Sequence, residues 1–108
     1  MRLDPFYPSY ALFWLGSAFY MLKRYPEALP RLRECVLRAP NFMAGHKQLA
    51  ATYAQLGQLQ QAREESAKVL RMHPNWTISG VERHFVSFKS SDDLEHYLDG
   101  LRKAGLPE

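Results

Sequence analysis

The sequence predicts an all-α protein built from antiparallel helix-turn-helix repeats and closed by a C-terminal capping helix. Three observations predict it. Apolar residues recur at spacings of three and four, as in Leu12, Leu15, Phe19 and Leu22, or Leu49, Tyr53 and Leu56. Pro5, Pro8, Pro40, Pro74 and Pro107 fall between the periodic blocks, where a residue that cannot continue a helix belongs. The stretch LGSAFYMLKRYPEAL, starting at Leu15, is restated thirty-four residues later as LAATYAQLGQLQQAR, starting at Leu49.

The elements follow in order. A first helix spans about 9–22 and a second about 26–38, with Pro26 at the first helical position, where its missing N–H costs nothing. Pro30 lies inside the second helix and should bend it or delay its start. A third helix covers about 43–56 and a fourth about 60–72. Gly57 suits a helix end that needs positive φ. The links KRYP and LGQL are short, so neighbouring helices must run antiparallel. Ile78, Val81 and Phe85 suggest another short helix, and FVSFKSSDD reads as an irregular connector. A final helix carries Leu94, Tyr97, Leu98 and Leu101 on one face. Ser91 or Asp92 can cap it, Asp92 and Glu95 have capping-box spacing, and Gly105-Leu106-Pro107 stops it. No convincing sheet is present.

Composition narrows the function classes. The chain has 108 residues, enough for one domain with a modest core. Its net charge of +3 comes from 14 basic residues interleaved with 11 acidic ones, not gathered on one face, which argues against nucleic-acid binding. The single Cys35 excludes an internal disulfide. No apolar run approaches a membrane span, and MRLDPFYP lacks the apolar segment of a signal peptide. The expectation is a cytoplasmic protein.

The thirty-four-residue interval also relates Ala28 to Ala62, Val36 to Leu70, Pro40 to Pro74 and Asn41 to Asn75. A helix-turn-helix unit of this period resembles the tetratricopeptide repeat. Unit one, residues 9–42, carries Leu15-Gly16, Phe19, Tyr25 to Ala28 and Pro40-Asn41. Unit two, residues 43–76, carries Leu49-Ala50, Tyr53, Gly57, Ala62 and Pro74-Asn75. Residues 77–108 then read as a degenerate third unit and capping helix, and residues 1–8 as the remnant of a preceding repeat or a linker. Leu12 and His46 stand where the pattern has Trp, and Ser66 where it prefers a bulky residue. His46 is therefore a doubtful core residue. The closing DLEHYLDGLRKAGLPE resembles the ends of bacterial proteins that join such repeats to a signalling domain, including class III nucleotide cyclases, although no cyclase residue is present.

The resemblance implies a non-catalytic protein-protein interaction module that binds a peptide or protein in a concave groove. The alternative is a regulatory or dimerising tail of a larger bacterial signalling protein. By resemblance the groove is lined by Tyr10, Phe13, Ser17, Tyr20 and Met21 in unit one, and by Ala44, Lys47, Ala51, Ala54 and Gln55 in unit two. Members that clamp a carboxylate pair Lys with Asn there. Ser17 and Ala51 stand where that Asn would be, which argues against chaperone-tail binding. Phe6, Tyr7, Tyr10 and Trp14 form an aromatic surface suited to self-association.

No catalytic, metal or cofactor constellation emerges. His46, His73, His84 and His96 lack metal-ligand spacing and read as surface or boundary residues. Cys35 reads as a buried, inert thiol. Glu27 with Arg31, Glu34 with Arg38, Glu64 with Lys68 and Asp99 with Lys103 are acid-before-base pairs four apart. Each such pair stabilises its helix by ~0.2–0.5 kcal/mol.

Overall fold

The computed structural model describes residues 8–78 and 91–108. Among them are five helices: α1 (Ser9–Met21), α2 (Tyr25–Arg38), α3 (Met43–Gln55), α4 (Leu59–Met72) and α5 (Ser91–Lys103). The four repeat helices fall where the apolar periodicity places them. Most of the expected short helix and connector after Ile78 lies outside the described residues, as do Phe6 and Tyr7.

Both hairpins turn by the same backbone device. Arg24 N–H bonds Phe19 O at 2.8 Å, and Gln58 N–H bonds Tyr53 O at 2.9 Å. These bonds satisfy carbonyls that a helix end otherwise leaves bare. Such a turn needs one residue in the left-handed region. Unit two supplies Gly57 at φ 78°, whereas unit one forces Lys23 to φ 60°. The units also close alike: Phe42 N–H bonds Ala39 O, and Trp76 N–H bonds His73 O.

Small residues set the spacing between helices. Ala28, Ala50 and Ala62 are wholly buried, with Leu32 and Leu49 beside them. Leu32 fills the space over Gly16, where an added Cβ would meet its side chain at 2.6 Å. Phe19 and Tyr53 pack at the edges of these clusters. α3 takes the middle of the molecule, between α1 and α2 on one side and α4 and α5 on the other. Its buried residues run without a gap from Gly45 to Thr52.

Several expectations change. Pro30 does not delay α2, which starts at Tyr25, one residue earlier than the sequence suggests. The proline lies on the exposed side of the helix. Glu27 pairs not with Arg31 but with Arg24, at 2.6 Å. Arg31 instead lies over the Phe19 ring, 5.4 Å from its centroid. Lys68 pairs with Glu65 at 2.7 Å in place of Glu64. Glu34–Arg38 and Asp99–Lys103 form as expected, each at 3.0 Å. α5 already includes Ser91 and Asp92, so neither is the residue preceding the helix. Gly105 ends it at φ 88°, with Leu106 N–H bonded to Leu101 O at 3.2 Å.

His46 is the clearest correction. It is a buried residue, not a surface or boundary one. Its Nδ1 lies 2.7 Å from Glu65 Oε1, and its Nε2 lies 2.7 Å from Pro40 O. Both neighbours are acceptors, so both bonds form when each ring nitrogen carries a proton. Glu65 completes its pairing through Lys68. A polar network thus sits where the repeat pattern has a large apolar side chain. Buried polar groups persist only with such partners. Ser66, also buried, donates to Ala104 O at 3.0 Å and so ties α4 to the end of α5.

Candidate functional site

Ten positions on α1 and α3 are the expected concave lining. The structure divides them into an open end and a covered end. α5 makes the division. It lies along α3 and reaches the last turn of α1.

The covered end is built first from apolar burial. Tyr20, Ala51, Val69, Trp76 and Ile78 form one core with Tyr97, Leu98, Leu101 and Leu106 of the C-terminal region. Each fully buried Leu or Tyr there contributes ~1.5–3 kcal/mol relative to exposure. Met21 packs at the edge of this core, and Ala54 packs with Ala50, Ala62 and Ala104. Close approach depends on Gly100. A Cβ at that position would overlap Tyr20 Oη and come within 2.8 Å of Ala51 Cβ.

A polar network closes the same seam. Tyr20 Oη donates to His96 O at 2.8 Å and accepts from Gln55 Nε2 at 3.2 Å. Gln55 also donates to Asp99 Oδ2 at 3.3 Å and accepts from Lys103 Nζ at 3.0 Å. The His96 ring stacks on Tyr20 at 4.4 Å, and its Nε2 lies 2.7 Å from Tyr25 Oη. Burial pushes the Tyr20 and Tyr97 hydroxyls far above the usual phenol range. Burial and the nearby Lys23 charge lower the pKa of His96. The hydrogen bond from Lys103 holds Asp99 below the usual carboxylate value.

Lys47 is buried as well. Its Nζ lies 5.2 Å from the centroid of the Trp76 ring, and desolvation lowers its pKa. Its ammonium is thus turned into the protein. Ala44 is half-buried at the start of α3.

The open end belongs to α1. Tyr10 is 62% exposed and Trp14 64% exposed. Phe13 is half-buried between Trp14 and Phe42, with centroids 5.6 and 5.2 Å away in edge-on geometry. Ser17 is half-buried and donates to Gln48 Oε1 at 3.4 Å. α1 carries no charged residue at all. The structure therefore brings Tyr10, Phe13 and Ser17 together on an accessible face. It brings Tyr20, Met21, Ala51, Ala54 and Gln55 together beneath α5.

The remaining chemistry-bearing groups are separate. Cys35 is buried, and burial raises its pKa, which keeps the thiol protonated and unreactive. Among the described residues no group of three or more His, Cys, Asp or Glu side chains could hold a metal ion. None of the described helices is long and apolar enough to cross a membrane.

Sequence reasoning expected α5 as a cap but missed that it lies over the groove positions Tyr20 and Ala51, and it missed the His46–Glu65 pair. The first left one signal, Gly100 in the middle of an amphipathic helix, which marks a close helix approach. The second left none, because the partners are nineteen residues apart on different helices.

Comparison with known proteins agrees with this architecture. Tetratricopeptide-repeat family models match residues 10–41 and 45–67, together about half of the chain. Hsp70-Hsp90 organizing protein 3 of Arabidopsis thaliana is 29% identical over 90 residues, covering 81% of this chain and 16% of that protein. The Hsp70-Hsp90 organizing protein of Triticum aestivum is 24% identical over the same span and shares. The chain thus spans about one sixth of the length of the curated relatives it matches. No solved structure gives a significant match. The paired hairpins, their shared turn geometry and these matches lead to one conclusion: the chain belongs to the tetratricopeptide-repeat family and is a protein-protein interaction module.

Proposed function

We propose that the module binds a peptide or protein partner at the open end of its concave side, through Tyr10, Phe13 and Ser17, with Trp14 at the rim. The exposure of Tyr10 and Trp14 on a helix without charged residues carries this reading. Large aromatic side chains supply much contact area at little entropic cost, and they dominate binding energy at interfaces. Met21, Tyr20, Ala51, Ala54 and Gln55 serve this site from below, by holding the C-terminal region and stiffening the groove, and Lys47 packs on Trp76. A stiff, preformed surface loses less free energy on binding.

The names of the relatives raise Hsp70 and Hsp90 as partners. The residues here do not favour a clamp for a chaperone tail carboxylate. Ser17 and Ala51 occupy the Asn positions of such clamps, and Lys47 is turned onto Trp76. The test is capture of partners by the module, followed by titration of the captured binding segment. Tyr10→Ala and Trp14→Ala should weaken binding about tenfold or more, while Gln61→Ala, exposed on α4, leaves it unchanged. Equal binding by all three variants would reject the site. Peptides with the C-terminal sequences of Hsp70 and Hsp90 should not bind.

A second reading is self-association through the same helix. A specific observation favours it. Tyr10, Trp14, Ala18 and Leu22 correspond by the thirty-four-residue shift to Ala44, Gln48, Thr52 and Leu56. Gln48 and Thr52 are buried, Gln48 accepting from Ser17 of the preceding hairpin, whereas Tyr10, Trp14, Ala18 and Leu22 are exposed. An uncharged face can meet its own copy without repulsion. A clean monomer at high concentration in multi-angle scattering would exclude this reading.

A further inference from the structure

An open trough of about 470 Å³ lies between the last turns of α2 and α4. Its volume falls in the range of ligand sites, ~300–1,000 Å³. One part is apolar: Val36, Leu37, Pro40 and Met72. Leu37 is 74% exposed, so this apolar surface faces water. The other part carries the cations Lys68 and Arg71, and the buried His46 also lines it.

Among the described residues no carboxylate lines the trough. Glu65 is not among the residues that line the trough, although it touches two of them. One of its oxygens meets His46 and the other meets Lys68, each at 2.7 Å. That arrangement fixes the position of Lys68 and leaves two of its three ammonium hydrogens unused. Arg71 has no carboxylate partner among the described residues. Its planar guanidinium presents donors that match a carboxylate bidentately. The carbonyl ends of α2 and α4 add negative partial charge nearby, so Arg71 must supply the main attraction for an anion.

We propose that this trough binds a short acidic peptide segment, with apolar side chains against Leu37 and Met72 and carboxylates on Arg71 and Lys68. Complementarity of charge and of apolar surface selects this occupant. A bare phosphate or nucleic-acid backbone would engage the cations but leave the exposed Leu37 and Met72 in water. A purely apolar segment would leave Arg71 unmatched. The site is independent of the α1 surface, because none of its lining residues belongs to α1 or α5.

The test uses the whole chain and a fluorescein-labelled hexapeptide of alternating Leu and Glu, read by fluorescence anisotropy in low salt. Analogues with Gln or Lys in place of Glu serve as controls. The acidic peptide should bind, the Gln analogue about tenfold more weakly, and the Lys analogue not at all. Arg71→Glu should abolish binding, and Leu37→Ser should weaken it. Both residues are exposed, so circular dichroism should show both variants folded. Trp14→Ala should bind like the parent chain. Lack of binding up to about 1 mM peptide, equal binding of the Gln analogue, or unchanged binding by Arg71→Glu would overturn the proposal. Loss of binding in Trp14→Ala, or Arg71-dependent binding of a single-stranded RNA but not the peptide, would overturn it as well.

Discussion

α1 and α3 are the same element used twice, and they meet opposite fates. Both are the first helix of a repeat unit, and both are thirteen residues long. α1 buries three residues, Leu12, Gly16 and Tyr20, and leaves Tyr10 and Trp14 in water. α3 buries nine, including His46, Lys47, Gln48 and Thr52. The difference does not follow apolarity: the more apolar helix is the more exposed. It follows position in the stack. Among the described residues, α3 has helices on both sides and α1 has them on one. The proposed binding surface follows the same division, because a repeat surface can bind only where the stack leaves it uncovered.

The largest expected effect comes from removing what covers α3. Leu101→Ala should destabilise the chain by about 3–4 kcal/mol, since Leu101 is wholly buried against the α3 side of the core. Denaturant unfolding would measure it, and a loss under 1 kcal/mol (about a quarter of that expected) would mean that α5 is not integral. Gly100→Ala should cost about 2–3 kcal/mol despite the better helix propensity of Ala, because the new methyl group meets Tyr20 and Ala51. His46→Leu should cost about 2 kcal/mol by leaving Glu65 and Pro40 O without their partner. If it stabilised the chain instead, the polar network would be a burden that Leu relieves.

Turn geometry sharpens the comparison at smaller scale. Lys23 and Gly57 occupy equivalent places, both at positive φ. Lys23→Gly should therefore stabilise the chain by about 0.5–1 kcal/mol, read as a higher melting temperature. The tryptophans report the division without affecting stability. Trp14 is 64% exposed and Trp76 only 9%. Iodide should quench Trp14 strongly, and Trp14→Phe should leave a blue-shifted, protected emission.

The seam between α1 and α5 should also respond to pH. His96 has a lowered pKa in the folded chain, from burial first and the Lys23 charge second, while Asp93 and Asp99 oppose the shift. The unfolded chain, with a histidine pKa of about 6.5, then holds more protons than the folded one. Stability should fall as pH drops below about 6.5, down to the folded-state value. Asp99, whose pKa is lowered, adds a separate loss at more acidic pH, below the ordinary carboxylate value. Melting temperatures between pH 7.5 and 5 should decline in the parent chain and less steeply in His96→Gln. Equal slopes would remove His96 from the account.

Much of this was legible in the residues. The helix boundaries, the Gly57 and Gly105 stops, and the buried Ala28, Ala62 and Cys35 come from patterns within one or two helical turns. Such patterns carry their own physical reason: period, φ, or a missing N–H. The ion pairs were only half legible. Glu27, for example, can reach both Arg24 and Arg31, and spacing alone does not choose between them.

The candidate site was less legible, because its outcome depends on an element far along the chain. The repeat pattern of the sequence, by its family resemblance, suggested that Tyr10, Tyr20, Lys47 and Gln55 line one side of two stacked hairpins. Only the tertiary structure decided which of them meet water. α5 returns from residue 91 to lie over Tyr20 and Ala51, seventy-six residues separating Tyr20 from the His96 carbonyl that it bonds. No periodicity records such a contact. It is selected because the apolar face of α5 and the unfilled side of α3 each lower their free energy by leaving water together.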